Sequence, residues 1–143
     1  FVHRWALLGG KKNVDVIAVA NSGWFTMPDR DIDYPYGIKN VGITDEELGE
    51  AFAKPVILFM GEKDVERKPP FRDTPEADAQ GMNRMERCTN YFRQCKAKAE
   101  ELRVPFRWKL ETVEGAAHQG VKMAEGAEAY IFGKSSEDRN RRV

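Results

Sequence analysis

Two short runs of apolar, largely β-branched residues, "VDVIAVA" at 14–20 and "PVILFMGEKD" at 55–64, constrain this chain more than any other feature. Such runs suit strands of a parallel sheet covered on both faces, because each side of the strand must then meet apolar neighbours. Between Ala79 and Leu102 the rhythm changes: Met82, Met85, Cys88, Phe92, Cys95, Ala99 and Leu102 recur every three or four residues, the spacing of one buried helix face. A third strand, more alternating than the others, is expected over "PFRWKLETVEG" at 105–115, and a closing helix over "VKMAEGAEAYIF" at 121–132.

The remaining segments fill the gaps between these elements. "FVHRWALL" reads as a helix already under way, since no N-cap precedes it, so the start at Phe1 reads as a cut. Thr44 with Glu47 three positions later predicts a capping box and a short helix through about Phe52. The stretch from Arg30 to Val41, rich in Asp, Tyr, Pro and Gly, reads as an excursion over the surface. The resulting order, helix and strand in strict alternation, predicts an α/β architecture with a largely parallel sheet and flanking helices. Residues 1–133 form one domain in this reading, and 134–143 a polar C-terminal tail.

Charge narrows the function classes. Lys plus Arg and Asp plus Glu both total 23, so no net field draws the chain toward nucleic acid or an anionic membrane, and neither is expected as a partner. No run approaches the ~20 apolar residues of a membrane span, and no charged start precedes a short apolar core in the manner of a signal peptide. Cys88 and Cys95, seven apart on one helix, cannot easily bridge and make no zinc pattern. They read as reduced thiols packed as small apolar groups, which agrees with a cytoplasmic setting. With His3 as the only other histidine, strong metal ligands are too few, and neither a metal nor another cofactor is expected.

In parallel sheets functional groups gather in the loops beyond the carboxyl ends of the strands. Asp64 and His118 fall there, one after each of the last two strands. His118, in "VEGAAHQG", is either a base held at the sheet rim or an ordinary loop histidine. Asp64 is either an acid partner or a turn-forming aspartate, with Glu62 and Glu66 as nearby rivals. Trp24, Phe25, Met27 and Tyr36 either line an apolar substrate pocket or pack in core and loops. Asn83 and Arg84, in "QGMNR", either reach the mouth of the site or cap the long helix.

Taken together, "FVHRWALL", "VIAVANSGWFTMPD", "PVILFMGEKD", "QGMNR" and "VEGAAHQG" resemble the C-terminal half of an α/β-hydrolase, of the bacterial esterase-like or polyester-depolymerase-like kind, over most of Phe1 to Gly133. That resemblance implies a nucleophile–acid–histidine triad with Asp64 at the acid position and His118 at the histidine position. The G-x-S-x-G nucleophile elbow is absent from these residues, as is the early-strand loop of the oxyanion hole. In the family the elbow lies just before the helix that "FVHRWALL" resembles, so the serine is expected a few residues ahead of Phe1. Ser22, in "NSGW", lacks the flanking glycines of an elbow and reads as a loop serine near the site.

Two functions from different classes follow. One is a carboxylic-ester hydrolase acting on a small-molecule ester, with His118 as base then acid and Asp64 orienting it. The other is a non-catalytic α/β module that binds a partner or ligand. A sheet of about three strands leaves an open edge, so pairing with an N-terminal hydrolase segment or self-association is expected.

Overall fold

The computed structural model describes residues 1–9 and 13–140, with side chains through 133. The expected polar tail at 134–143 lies outside these residues, apart from the backbone of 134–140, which belongs to the last helix.

Three parallel strands form one sheet in the order β1-β2-β3: β1 (Ile17–Ala20), β2 (Val56–Gly61) and β3 (Lys109–Val113). The connections run through α2 (Asp45–Phe52) and α4 (Arg84–Glu101), while α1 (Val2–Leu8) precedes β1 and α5 (Gly120–Asn140) follows β3. A short turn of helix, α3 (Pro75–Asp78), interrupts the loop before α4. Helices α1, α2 and α4 cover one face, where Leu7, Ile17, Val19, Leu48, Phe52 and Leu58 share a core with Tyr91, Cys95 and Trp108. Helix α5 covers the other, where Met123 and Ala127 meet Ile57 and Phe59. The chain is thus the expected α/β architecture. Among the described residues no helix is long and apolar enough to cross a membrane.

Central β2 is buried on both faces along almost its whole length, as its continuous apolar run predicts. β1 departs from the expectation. Its strand is confined to Ile17–Ala20, and although Ile17 and Val19 are buried, Ala18 and Ala20 face solvent. The reason is its place at the edge of the sheet, where α5 approaches β1 but sets its buried apolar side chains against those of β2.

The capping box at Thr44 is present in full: Thr44 Oγ1 accepts from Glu47 N at 3.1 Å, and Glu47 Oε2 accepts from Thr44 N at 2.8 Å. The long helix starts later than its apolar rhythm suggests. Gly81, at φ 149°, turns the chain, and a side chain there would collide with the backbone of Arg87. Asn83 then caps α4 by accepting from Glu86 N at 2.9 Å, while Glu86 takes Met82 N at 2.7 Å. Met82 consequently lies outside the helix and is exposed. The excursion at 30–41 is also less superficial than its composition implies, because Tyr36 and Ile38 turn inward and are buried.

Candidate active site

The loops that leave β2 and β3 are joined to each other. Glu62 N donates to Val113 O at 3.1 Å, and Lys63 N to Ala116 O at 2.8 Å, so the parallel pairing continues past the strand ends. Gly61 permits this approach: a Cβ there would stand 2.6 Å from Ala116 O. The Glu62 carboxylate accepts from Gly115 N at 2.8 Å, fixing the turn that leads to His118. On the β2 side a tight turn, Asp64 N to Gly61 O at 3.1 Å, lifts Asp64 over the strand end.

These two turns bring Asp64 and His118 together. Asp64 Oδ2 lies 3.1 Å from His118 Nδ1. The Asp64 side chain is 6% exposed and that of His118 35%, so an enclosed carboxylate faces an imidazole open to solvent on its far side. Nε2 of His118 has no hydrogen-bond partner among the described residues. The rival carboxylates are engaged elsewhere: Glu62 holds the Gly115 turn, and Glu66 forms an exposed ion pair with Lys68 at 2.9 Å.

Arg84 completes the arrangement. Its Nη1 donates to Asp64 Oδ1 at 3.2 Å, and its Nη2 donates to Pro70 O. The "QGMNR" segment therefore divides its labour. Gln80 clamps the backbone of Phe25 from both sides, donating to its O at 2.7 Å and accepting from its N at 2.8 Å. Asn83 caps the helix, and Arg84 reaches the acid. The loop between β2 and α4 is shaped around Phe71, whose ring has the guanidinium carbons of Arg67, Arg84 and Arg87 at 4.7, 5.0 and 4.3 Å. Fully buried Arg87 ties this loop to its neighbours by donating to Gly81 O, Gly23 O and Asp78 Oδ1 at 2.7–2.8 Å.

The four residues considered for a substrate wall separate into two pairs. Phe25 and Met27, each 1% exposed, pack in the main core, where Phe25 stacks on Tyr91 at 4.4 Å. Trp24 and Tyr36 lie together, ring centres 4.8 Å apart, and Trp24 lines an open cavity of about 260 Å³ with Arg4, Asn21 and Ser22. Asn21 and Ser22 also border a small cavity, about 10 Å³, that Asp64 and Arg84 line. Ser22 makes no hydrogen bond to His118. A third cavity, about 190 Å³, holds Asp64, His118 and Arg84 themselves. A larger one, about 430 Å³, opens at the opposite ends of the strands around Val16 and Trp108, where no acid–base pair stands, so size does not mark the site.

His3 is buried at the wall of the cavity that Arg4 and Trp24 line. Its Nε2 accepts from Thr26 N at 3.2 Å, and burial, with Arg4 adding to it, lowers its pKa to about 3. It is a neutral core histidine. Among the described residues no group of three or more His, Cys, Asp or Glu could hold a metal ion.

Of these residues, Arg4 carried no signal in the sequence and Asn21 only a slight one. Asn21 adopts a left-handed backbone, φ 55°, at the end of β1, a conformation asparagine tolerates better than most residues. That tolerance is the one cue the sequence offered.

No family model matches the sequence, and no curated protein sequence does so significantly. Solved structures do. Poly(aspartic acid) hydrolase-1 from Sphingomonas sp. KT-1 superposes with a TM-score of 0.87 at 32% identity, over 92% of this chain and 50% of that one. LpqC, a poly(3-hydroxybutyrate) depolymerase from Bordetella parapertussis, superposes with a TM-score of 0.81 at 28% identity, over 92% of this chain and 45% of that one. The chain thus spans about half the length of these structures. With its parallel sheet, flanking helices and this degree of likeness, the chain has the fold of the C-terminal half of an α/β-hydrolase and is similar to these esterase- and depolymerase-like structures.

Proposed function

We propose that this chain supplies the acid and the base of a serine hydrolase that cleaves carboxylic esters. The observation that carries the reading is the 3.1 Å contact between Asp64 Oδ2 and His118 Nδ1, made at adjacent strand ends with Nε2 left free. A serine hydroxyl is a poor nucleophile until an imidazole takes its proton, and the imidazole needs a carboxylate on its other nitrogen to fix tautomer and orientation.

In this mechanism His118 Nε2 removes the serine proton as the oxygen attacks the ester carbonyl. The imidazolium, steadied by Asp64, returns that proton to the departing alcohol, and the acyl group remains on the serine. A water then repeats the sequence: His118 takes its proton, hydroxide adds to the acyl carbon, and the serine leaves with the proton returned. The nucleophile and the oxyanion-hole donors come from a part of the hydrolase fold that is not among these residues. The free edge of β1 is where that part would extend the sheet, and the twofold greater length of the solved relatives supports this source over a second copy of the chain. Ester chemistry is favoured by the esterase-like sequence motifs and by the polyester named for one relative, whereas the polymer named for the other is joined by amide bonds.

The test joins the chain to its nucleophile segment and exposes the protein to a fluorophosphonate probe and a short p-nitrophenyl ester. Labelling of an upstream serine is expected, with turnover lost by several orders of magnitude in His118→Ala and less severely in Asp64→Asn. Labelling of Ser22, or turnover indifferent to His118→Ala, would place the chemistry on other residues, and neither labelling nor turnover would leave a ligand-binding α/β module as the better reading.

A further inference from the structure

Two guanidinium groups converge on the ring of Trp24. Arg4, from α1, and Arg72, from the loop after β2, each hold Cζ 5.3 Å from the ring centre, and Arg72 also stands 5.6 Å from the ring of Tyr36. Both are held in position by tyrosine hydroxyls. Arg72 Nε donates to Tyr36 Oη at 2.6 Å, and that oxygen is in turn 2.9 Å from Thr74 Oγ1. Arg4 Nη1 donates to Tyr34 Oη at 3.2 Å.

Like charges gathered at one ring repel, whereas four other arginines of this chain are paired with carboxylates. Arg30 pairs with Asp45, Arg67 and Arg87 with Asp78, and Arg84 with Asp64. Arg4 and Arg72 have no carboxylate partner among the described residues. A guanidinium carries five N–H donors in a planar fork, and each of these spends one on a neutral hydroxyl. The others remain for an acceptor that the chain itself does not provide. The cluster also borders the proposed centre: Arg4 and Trp24 line the cavity shared with Asn21 and Ser22, and those two residues line the small cavity at Asp64.

We infer that Arg4, Arg72 and Trp24 form a carboxylate-binding subsite, and that the substrate carries a free carboxylate in addition to the group being cleaved. The second half of this statement rests on the hydrolase reading; the first does not. A carboxylate matches the guanidinium fork with two parallel charge-assisted hydrogen bonds. The indole face shields one side of that pair from water, which strengthens it, and the arriving negative charge relieves the repulsion between the arginines.

The test is a titration of the 143-residue chain with glutarate, with its neutral counterpart glutaramide and with inorganic phosphate, following the indole N–H resonance of Trp24 by NMR. Glutarate is expected to shift that resonance saturably, with affinity falling as salt is added and at least tenfold in both Arg4→Gln and Arg72→Gln, while glutaramide leaves it unmoved. His118→Ala should bind glutarate as the parent does, which separates this subsite from the catalytic proposal. Equal shifts by glutarate and glutaramide, phosphate binding as tight as glutarate, or unchanged affinity in the two arginine variants would each overturn the assignment. If glutarate binds and no ester is hydrolysed, the subsite stands and the hydrolase reading fails. In the joined enzyme, a p-nitrophenyl monoester of glutaric acid should show a lower KM than p-nitrophenyl butyrate, and Arg72→Gln should erase that advantage. Equal KM values for the two esters would overturn the substrate assignment.

Discussion

Arg84 and Asp64 form a buried ion pair, 3.2 Å between Nη1 and Oδ1, immediately behind the contact of Asp64 with His118. Both side chains are 6% exposed, so neither charge is relieved by water and each depends on the other. The carboxylate is held through one oxygen by an arginine and offers the second to the histidine. Because Arg84 is itself seated on Pro70 O and the Phe71 ring, the Asp64 carboxylate is held in a fixed orientation toward His118.

Breaking that pair from either side should cost more than removing it. Arg84→Gln leaves a buried carboxylate with only an exposed histidine and should destabilise the fold by about 3 kcal/mol. Asp64→Asn should cost a comparable amount, and the double change less than the two losses added together. Urea unfolding of the three variants measures this. Simple additivity would mean that the two side chains do not depend on each other.

Gly61→Ala should separate Asp64 from His118 without touching either. The added methyl would meet Ala116 O, which belongs to backbone and cannot swing aside, so the turn carrying His118 must move. A stability loss of about 1–3 kcal/mol is expected from the forced shift. The accompanying sign is a change in the His118 ring resonances in an NMR spectrum. An unshifted His118 would show that the two turns are not rigidly joined.

The legible parts of this molecule were those set by local pattern. β2 is covered on both faces, so its apolar run is continuous and unambiguous. The same composition in β1 hid an open face, because Ala18 and Ala20 are small and apolar whether or not anything covers them. The start of α4 was obscured by Met82, which keeps the helical spacing although Gly81 has already turned the chain. At the site, the strand ends pointed to Asp64 and His118 because parallel strands deliver their loops to one edge. Arg84 was ambiguous because a polar residue at a helix start can cap the helix as well as reach the site, and its partner is chosen by how the intervening loop wraps Phe71. Arg4 and Arg72 had no pattern to show: their meeting at Trp24 depends on three separate segments.

Both cysteines should be inert in the folded protein. Burial pushes the Cys88 thiol up to about 12, and burial raises that of Cys95 well above its ordinary value, so neither forms the reactive thiolate near neutral pH. Ellman's reagent should find almost no thiol in the native chain at pH 8 and both in denaturant. Rapid native labelling would mean that the face of α4 packed on the sheet opens readily.

His3 should make the fold acid-sensitive. Its imidazole is buried among Trp24, Phe25 and Tyr91, accepts a hydrogen bond from Thr26 N, and has its pKa lowered from 6.5 to about 3, chiefly by burial. In the unfolded chain the same histidine takes up a proton near pH 6.5, whereas in the folded chain it stays neutral until about pH 3. Acid therefore favours the unfolded state throughout that window. The contribution is intact above pH 6.5, falls by up to about 1.4 kcal/mol per pH unit below it, and levels off below the folded value. Carboxylates titrate over part of the same range, so the comparison must be with a variant lacking only this group. His3→Gln keeps an acceptor for Thr26 N and cannot be protonated. Between pH 7 and pH 5 the parent should lose about 2 kcal/mol more than His3→Gln in urea unfolding. Parallel stability curves for the two proteins would show that His3 is protonated in the folded state, and so is not enclosed as its surroundings indicate.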